Sequence, residues 1–334
     1  MTVPALGDRR VRFGLAGCGV ISDTYAAALA GLASAELVAV HDADQDRAAA
    51  FCRRHRTAQS ASLEELVSRP DVDAVCVCVP SGLHAQVAVV AAEAGKHLVV
   101  EKPIEVDQAA ARHLIEAAAR NAVALNVVSQ QRYNPGVLHA RALLRAGRLG
   151  DVVFVEARVP WYRSQAYYDS AAWRGTWAMD GGGAFMNQGV HYADLLCWLF
   201  GQPSVLAAHC ARLNHEMEAE DLALALLRFP SGAAGALVAS TLCYPGFPAE
   251  LNVHGTGGSL RLVDGALVDV QLQGADVPTP ADLGRLGMPD GHRAQLADIV
   301  TSLQDGSAPP VSGEDGYRAL SLVLDTYRAA RWKR

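Results

Sequence analysis

The sequence predicts two domains: a doubly wound α/β domain on a parallel sheet, followed by an α+β domain on an open, mainly antiparallel sheet. Three observations predict this. A chain of 334 residues has room for two cores at roughly 150 residues each. From Val11 to about Val128, short β-branched runs alternate with helical stretches, the pattern of βαβ units. After Asn134-Pro135, strand-like runs follow one another with only turns between most of them, which favours antiparallel pairing.

The first domain is read as residues 1–128. Val11 to Ala16, Leu37 to His41, Ala74 to Val79, Leu98 to Val100 and Ala124 to Val128 are short apolar runs suited to strands buried on both faces. Between them Ile21 to Leu32, Asp44 to Arg54, Leu63 to Ser68, Gly82 to Ala94 and Asp107 to Asn121 have helical composition, with Asp44 and Asp107 as helix caps.

The second domain is read as residues 129–334, with the closing helices free to pack back on the first. A helix runs from Asn134-Pro135 to Arg145, and Gly147 to Gly150 stops it. Val152 to Val159, Val205 to Leu213, Leu222 to Phe229, Gly235 to Leu242, Glu250 to His254, Ser259 to Val263 and Leu267 to Leu272 are the strands. Ala184 to Phe200, an apolar helical stretch, is expected to cover one face of their sheet. Helices at about Arg293 to Leu303 and Glu314 to Ala330 close the chain around Pro309-Pro310.

Hydrophobic residues make up 51% and charged residues 19%, which excludes a disordered chain. With 29 Lys and Arg against 35 Asp and Glu, the formal net charge of -6 gives no basic footprint for nucleic acid or an anionic membrane. A small-molecule partner is expected instead. No apolar run is long enough to span a bilayer, and Arg9-Arg10 is followed by a strand and turn at Phe13 to Gly17 rather than an export signal. Seven cysteines without a Cys-x-x-Cys pair suit reduced thiols in the cytoplasm, with neither disulfides nor a zinc site.

Gly17-Cys18-Gly19-Val20-Ile21-Ser22 follows the first strand and opens a helix, so it fits a dinucleotide fingerprint with Ser in the last place. Gly17 and Gly19 would let a pyrophosphate approach the backbone amides at the helix start, beside Val20 and Ile21. Asp42 ends the second strand 25 residues after Gly17, near the expected ~20, where a carboxylate accepts from the adenosine ribose. It would repel a 2′-phosphate, which favours NAD over NADP, although the neighbouring Arg47 opposes that repulsion. The alternative for Asp42 is a solvated residue at a helix start.

Pro80-Ser81-Gly82-Leu83-His84 and Glu101-Lys102-Pro103 follow the next two strands. Ligands of open parallel sheets bind beyond the strands' carboxyl ends, so Pro80, Ser81, His84, Glu101 and Lys102 are expected at the cofactor. Lys102 is an acid/base candidate if a cationic neighbour or burial lowers its pKa; otherwise it is a solvated surface lysine. Asn187, His191 and Asp194 have helical spacing that puts all three along one face, where Asp194 could orient His191. The alternative is an interior histidine with Asp194 as a structural acceptor. No third ligand accompanies them at metal-binding spacing, so no metal is expected. Trp161-Tyr162-Arg163, Tyr167-Tyr168 and Trp173-Arg174-Gly175-Thr176-Trp177 read either as a sugar-recognition loop or as loop and subunit packing. Tyr162, Tyr168 and Arg174 are its substrate-binding candidates, with Arg132 and His292 behind them.

In this order the fragments resemble the Gfo/Idh/MocA oxidoreductases over nearly the whole chain: Gly17-Cys18-Gly19-Val20-Ile21, Asp42, Pro80 to His84, Glu101-Lys102-Pro103, Arg132-Tyr133-Asn134-Pro135, and Gly181 to Asp194. The resemblance implies a Rossmann domain, a second domain on an open antiparallel sheet, and an active site between them. It implies NAD(P)-dependent oxidation of a secondary alcohol in a sugar, sugar derivative or cyclitol, with Lys102 and His191 catalytic and a homodimer or homotetramer. Where the family often has an aspartate four residues before the histidine, this chain has Asn187, which hydrogen-bonds but exchanges no proton near neutral pH. Asn187 is therefore a substrate-binding candidate. The resemblance also extends to NAD-dependent glycosidases that oxidise and re-reduce their substrate, and to non-catalytic regulators that bind NAD and sugars.

Overall fold

The computed structural model describes residues 4–274 and 283–332. The chain divides into two compact units, Met1–Gln130 with Gly287–Tyr317 and Gln131–Leu286 with Arg318–Arg334.

Among the described residues, the first unit carries strands β1 (Val11–Ala16), β2 (Ala35–His41), β3 (Ala58–Gln59), β4 (Ala74–Val77), β5 (His97–Val100) and β6 (Leu125–Val127). Their order is β3-β2-β1-β4-β5-β6. Every pairing is parallel, and the order reverses at β1 and β4. The helices between them are α1 (Ser22–Ala30), α2 (Gln45–His55), α3 (Leu63–Ser68), α4 (His84–Glu93) and α5 (Gln108–Arg120). Asp44 caps α2 by accepting from the Arg47 amide at 3.0 Å, and Asp107 caps α5 by accepting from Ala109 at 2.8 Å and Ala110 at 3.0 Å. The helix expected from Gly82 opens instead as a 3-10 turn at Ser81–Leu83. β3 has only two exposed residues and so carries no hydrophobic pattern.

The second unit opens with α6 (Pro135–Arg145) and continues through β7 (Val152–Pro160) and α7 (Gln165–Asp169) to α8 (Val190–Phe200). The strands β8 (Ser204–Ala211), β9 (Leu222–Arg228), β10 (Ala234–Ser240), β11 (Glu250–Gly255), β12 (Gly258–Val263) and β13 (Ala266–Leu272) follow. Their order with β7 is β13-β12-β11-β7-β10-β9-β8. β7 and β10 pair in parallel and every other neighbour antiparallel. That one parallel pairing departs from hairpin logic because a long connection through α8, β8 and β9 separates its strands, and side-chain alternation reports burial rather than direction. Alternate residues of the central strands, among them Ala223, Ala225, Leu227, Leu237, Ala239, Val155 and Ala157, are buried. The segment before α8 packs on β9 and β10.

α9 (Met288–Asp305) lies in the first unit, and α10 (Gly313–Ala329) begins there and continues in the second. α9 contributes Leu296, Ile299, Val300 and Leu303 to the core built around Phe13, Leu15, Tyr25 and Leu29. No described helix is long and apolar enough to cross a membrane. All seven cysteines are free thiols, five of them buried.

Candidate active site

In the first unit the glycine turn stands where the strand order reverses. Gly17 has φ +99°, and a Cβ there would lie 2.6 Å from the Cys78 carbonyl oxygen, so both backbone angle and β4 packing demand glycine. Gly19 is different: a Cβ there would meet no protein atom within 4 Å. Packing does not require that glycine, whereas close approach of a pyrophosphate would, so this turn fits a dinucleotide. Val20 is 86% exposed beside it. Ile21 occupies the N-cap position of α1, and the Ser22 hydroxyl donates to the Gly19 carbonyl at 2.5 Å.

Asp42 fastens this turn to the end of β2. Its carboxylate accepts from the Cys18 amide at 2.7 Å and from the Asp44 amide at 2.8 Å. It is therefore a buried anchor rather than a solvated helix-start residue, with lone pairs remaining for ribose hydroxyls. Arg47 is held by Asp42 at 3.4 Å and Asp44 at 3.2 Å.

Beyond β4 and β5 two loops are stapled together. His84 is buried, with Nδ1 2.8 Å from the Pro103 carbonyl oxygen and Nε2 3.0 Å from that of Val79. Burial lowers its pKa, although both carbonyls favour protonation. With both nitrogens so engaged, His84 holds the loop after β4 against the loop after β5. Ser81 is buried in the 3-10 turn that follows Pro80. Glu105 accepts from the Ala85 amide at 2.8 Å and so caps α4.

Glu101 anchors the loop that carries Lys102. Its carboxylate accepts from the Tyr25 hydroxyl at 2.9 Å, His292 Nε2 at 3.3 Å and the Lys102 amide at 3.1 Å. Burial opposes its charge, but the hydrogen bond and charge of His292, with Lys102 and Tyr25, hold the carboxyl down to about 2. For His292 burial likewise disfavours the cation, and Glu101 overcomes it and raises the pKa. His292 is thus the counterion of Glu101, which replaces its reading as a substrate contact. Lys102 itself is partly exposed at the carboxyl edge of the sheet.

In the second unit, the stretch from Gly181 to Cys197 is buried except at Asn187 and His191. Both lie on the helix expected from Ala184, whose first turn, Ala184–Gly189, is π-helical. Asp194 does not share their open face. Its carboxylate turns inward to a bidentate pair with Arg132, at 2.8 and 2.6 Å. Arg132 is 3% exposed and lies over the Trp198 ring, so it braces the helix and is corrected from substrate contact to structural partner. The Asn187 amide nitrogen donates to Asp180 at 2.8 Å, and the other Asp180 oxygen accepts from the Gly175 amide at 2.8 Å.

Sequence reasoning missed Asp180, although its place directly before three glycines was a visible signal. It also missed Glu220, which accepts from the Gly183 amide at 3.0 Å, the Phe185 amide at 2.8 Å and the Tyr327 hydroxyl at 2.9 Å. Burial pushes that carboxyl up to about 7 against those donors. A Cβ on Gly183 would stand 1.8 Å from the Glu220 carbonyl oxygen, which explains a glycine there. The aromatic candidates divide. Tyr168 is buried with its hydroxyl 2.9 Å from Thr241 Oγ1, a packing residue. Tyr162 is exposed against Tyr244, and Arg174 is partly exposed.

A parallel sheet of this order, with a glycine turn at its reversal and an acid ending β2, defines a dinucleotide-binding protein. The chain belongs to the Gfo/Idh/MocA oxidoreductases: the model of the oxidoreductase family with an NAD-binding Rossmann fold matches residues 11–129, and that of the GFO/IDH/MocA C-terminal domain matches residues 137–261. It is 27% identical to an inositol 2-dehydrogenase of Rhizobium meliloti, covering 97% of this chain and 98% of that protein. It is 29% identical to a D-apiose dehydrogenase of Paraburkholderia graminis, covering 97% and 88%. Among solved structures, the WlbA dehydrogenase from Bordetella pertussis in complex with NADH and UDP-GlcNAcA superposes with a TM-score of 0.90 at 33% identity, covering 98% of this chain and 97% of that one.

Proposed function

We propose that the protein is an NAD-dependent dehydrogenase that oxidises a secondary alcohol of a sugar, sugar derivative or cyclitol. The observation that carries this reading is the placement of the glycine turn and Lys102 at the carboxyl edge of one parallel sheet, beyond β1 and β5. The named activities of the inositol and apiose relatives support the substrate class. When bound, NAD supplies the hydride acceptor. Gly17, Gly19, Val20 and Ile21 hold its pyrophosphate and Asp42 its ribose, while the loops from Pro80 and Glu101 shape the nicotinamide end. Lys102 takes the substrate's hydroxyl proton, its cationic form being disfavoured by the oxidised ring's positive charge. His191 assists that transfer, and Asn187, oriented by Asp180, hydrogen-bonds the sugar. The protein works as a homodimer or homotetramer in the cytoplasm.

Absorbance at 340 nm, with NAD or NADP and a panel of sugars, cyclitols and nucleotide sugars, tests this. Steady NADH formation with at least one substrate, faster than with NADP, is expected. Bound NAD with no net NADH formation on any of them would overturn the dehydrogenase reading in favour of internal redox cycling or a regulator.

A further inference from the structure

Between β7 and the glycine run lies a cationic and aromatic ladder that the proposed chemistry does not use. The Arg163 guanidinium carbon is 5.6 Å from the Trp161 ring centroid and 5.2 Å from that of Tyr167. That of Arg174 is 4.3 Å from Tyr167 and 4.7 Å from Trp173. One tyrosine ring therefore adjoins two cations.

Their hydrogen bonds go to neutral groups. Arg163 donates to the Tyr162 carbonyl at 2.9 Å, and Arg174 to the Tyr167 hydroxyl at 2.6 Å and Ser170 Oγ at 3.2 Å. Among the described residues neither has a carboxylate within ion-pair distance. Two guanidinium groups that share the Tyr167 ring are like charges and repel each other. A bound anion would offset that repulsion. All five ladder residues are partly exposed, so an anion has access.

The ladder is also tied to the residues placed at the substrate. Gly175, next to Arg174, is bound by Asp180, whose other oxygen holds Asn187, one turn before His191. We propose that Trp161, Arg163, Tyr167, Trp173 and Arg174 form an anion-recognition subsite, and that the substrate is a sugar carrying a carboxylate or a phosphate ester. This rests on the dehydrogenase reading for its orientation toward His191. Planar guanidinium forks match either oxyanion in bidentate fashion, and the flanking rings suit a sugar or base face.

Calorimetric titration of the NADH-loaded protein with glucose, glucuronate, UDP and UDP-glucuronate tests the subsite. At least one anionic probe is expected to bind on the order of tenfold tighter than glucose, and raising salt from about 0.05 to about 0.5 M should weaken that probe alone. Tight binding of glucuronate assigns the carboxylate, and tight binding of UDP assigns the phosphate ester. The double variant Arg163→Gln, Arg174→Gln should lose that preference while still binding NADH. Equal affinity for glucose and every anion, salt-independent binding of the anion by the wild type, or an unchanged double variant would each overturn the subsite. Failure of the dehydrogenase reading is separate: NADH would not bind, or no substrate would be turned over, and the same titrations without cofactor would still decide the subsite.

Discussion

Two side chains on neighbouring positions of one loop do unlike work. Lys102 is partly exposed and carries the proposed proton transfer, while Glu101 is buried and holds the loop. Lys102→Met should therefore lower kcat by about 10²–10⁴-fold, the usual worth of a positioned acid or base, while NAD binding measured by fluorescence titration stays near wild type. Turnover within a few-fold of wild type would remove Lys102 from the mechanism. The Glu101–His292 pair makes a pH prediction. His292 has a raised folded pKa, so its contribution to stability is fully present below its unfolded value of about 6.5 and is lost as pH rises through the folded value. Glu101, depressed to about 2, contributes above its unfolded value of about 4.5 and loses that contribution as pH falls. Thermal melts of His292→Asn should accordingly show their largest deficit against wild type between about pH 4.5 and 6.5, shrinking at higher pH. A deficit that grows toward pH 9 would contradict the pairing.

The helix bearing Asn187 and His191 depends on Glu220, which lies beyond it in sequence at the edge of β9. Glu220→Ala would leave the Gly183 and Phe185 amides and the Tyr327 hydroxyl without their buried acceptor. At ~1–3 kcal/mol for each orphaned group, the loss should reach about 3 kcal/mol or more in urea unfolding. A loss within ~0.5 kcal/mol, typical of a surface substitution, would show that the clasp is dispensable. Local pattern made such elements legible but not their clasps. Val11–Ala16 and Leu63–Ser68 match their expected bounds, because apolar runs and caps act within a few residues. The 3-10 opening of α4, the π-helical turn before α8 and the parallel β7–β10 pairing depend on hydrogen-bond geometry that composition does not encode. The same holds in the candidate site. Asn187 and His191 stood out by helical spacing and by their place in the family's motif, whereas the inward turn of Asp194 required Arg132, 62 residues away. Glu220 acts mainly on the Gly183 and Phe185 amides, which leave no trace in side-chain pattern, whereas Asp180 was marked only by its place directly before three glycines.

At the scale of the whole molecule, the second sheet presents one face that its own unit leaves uncovered. Leu224 and Leu226 of β9 are 37% and 48% exposed, and Phe154 of β7 is 38% exposed. Register places them on one side with Val238 and Ala236 of β10, opposite the buried alternates. Along β7 and on to β11 and β12 the same side becomes charged, where Arg158 pairs with Glu250 at 2.9 Å and Glu156 at 3.3 Å, and Arg261 with Glu250 at 3.0 Å. An apolar strip beside a charged border is the anatomy of a subunit interface, and two copies of one face can meet across a twofold axis without any other partner. If this face makes the proposed assembly, Leu224→Glu with Leu226→Glu sets like charges in its apolar centre and should yield the mass of one protomer by light scattering. NADH affinity should stay unchanged, because the glycine turn and Asp42 belong to the other unit. An oligomer that survives both charges would place the interface elsewhere, and a monomeric wild type would leave the strip as a solvated sheet face.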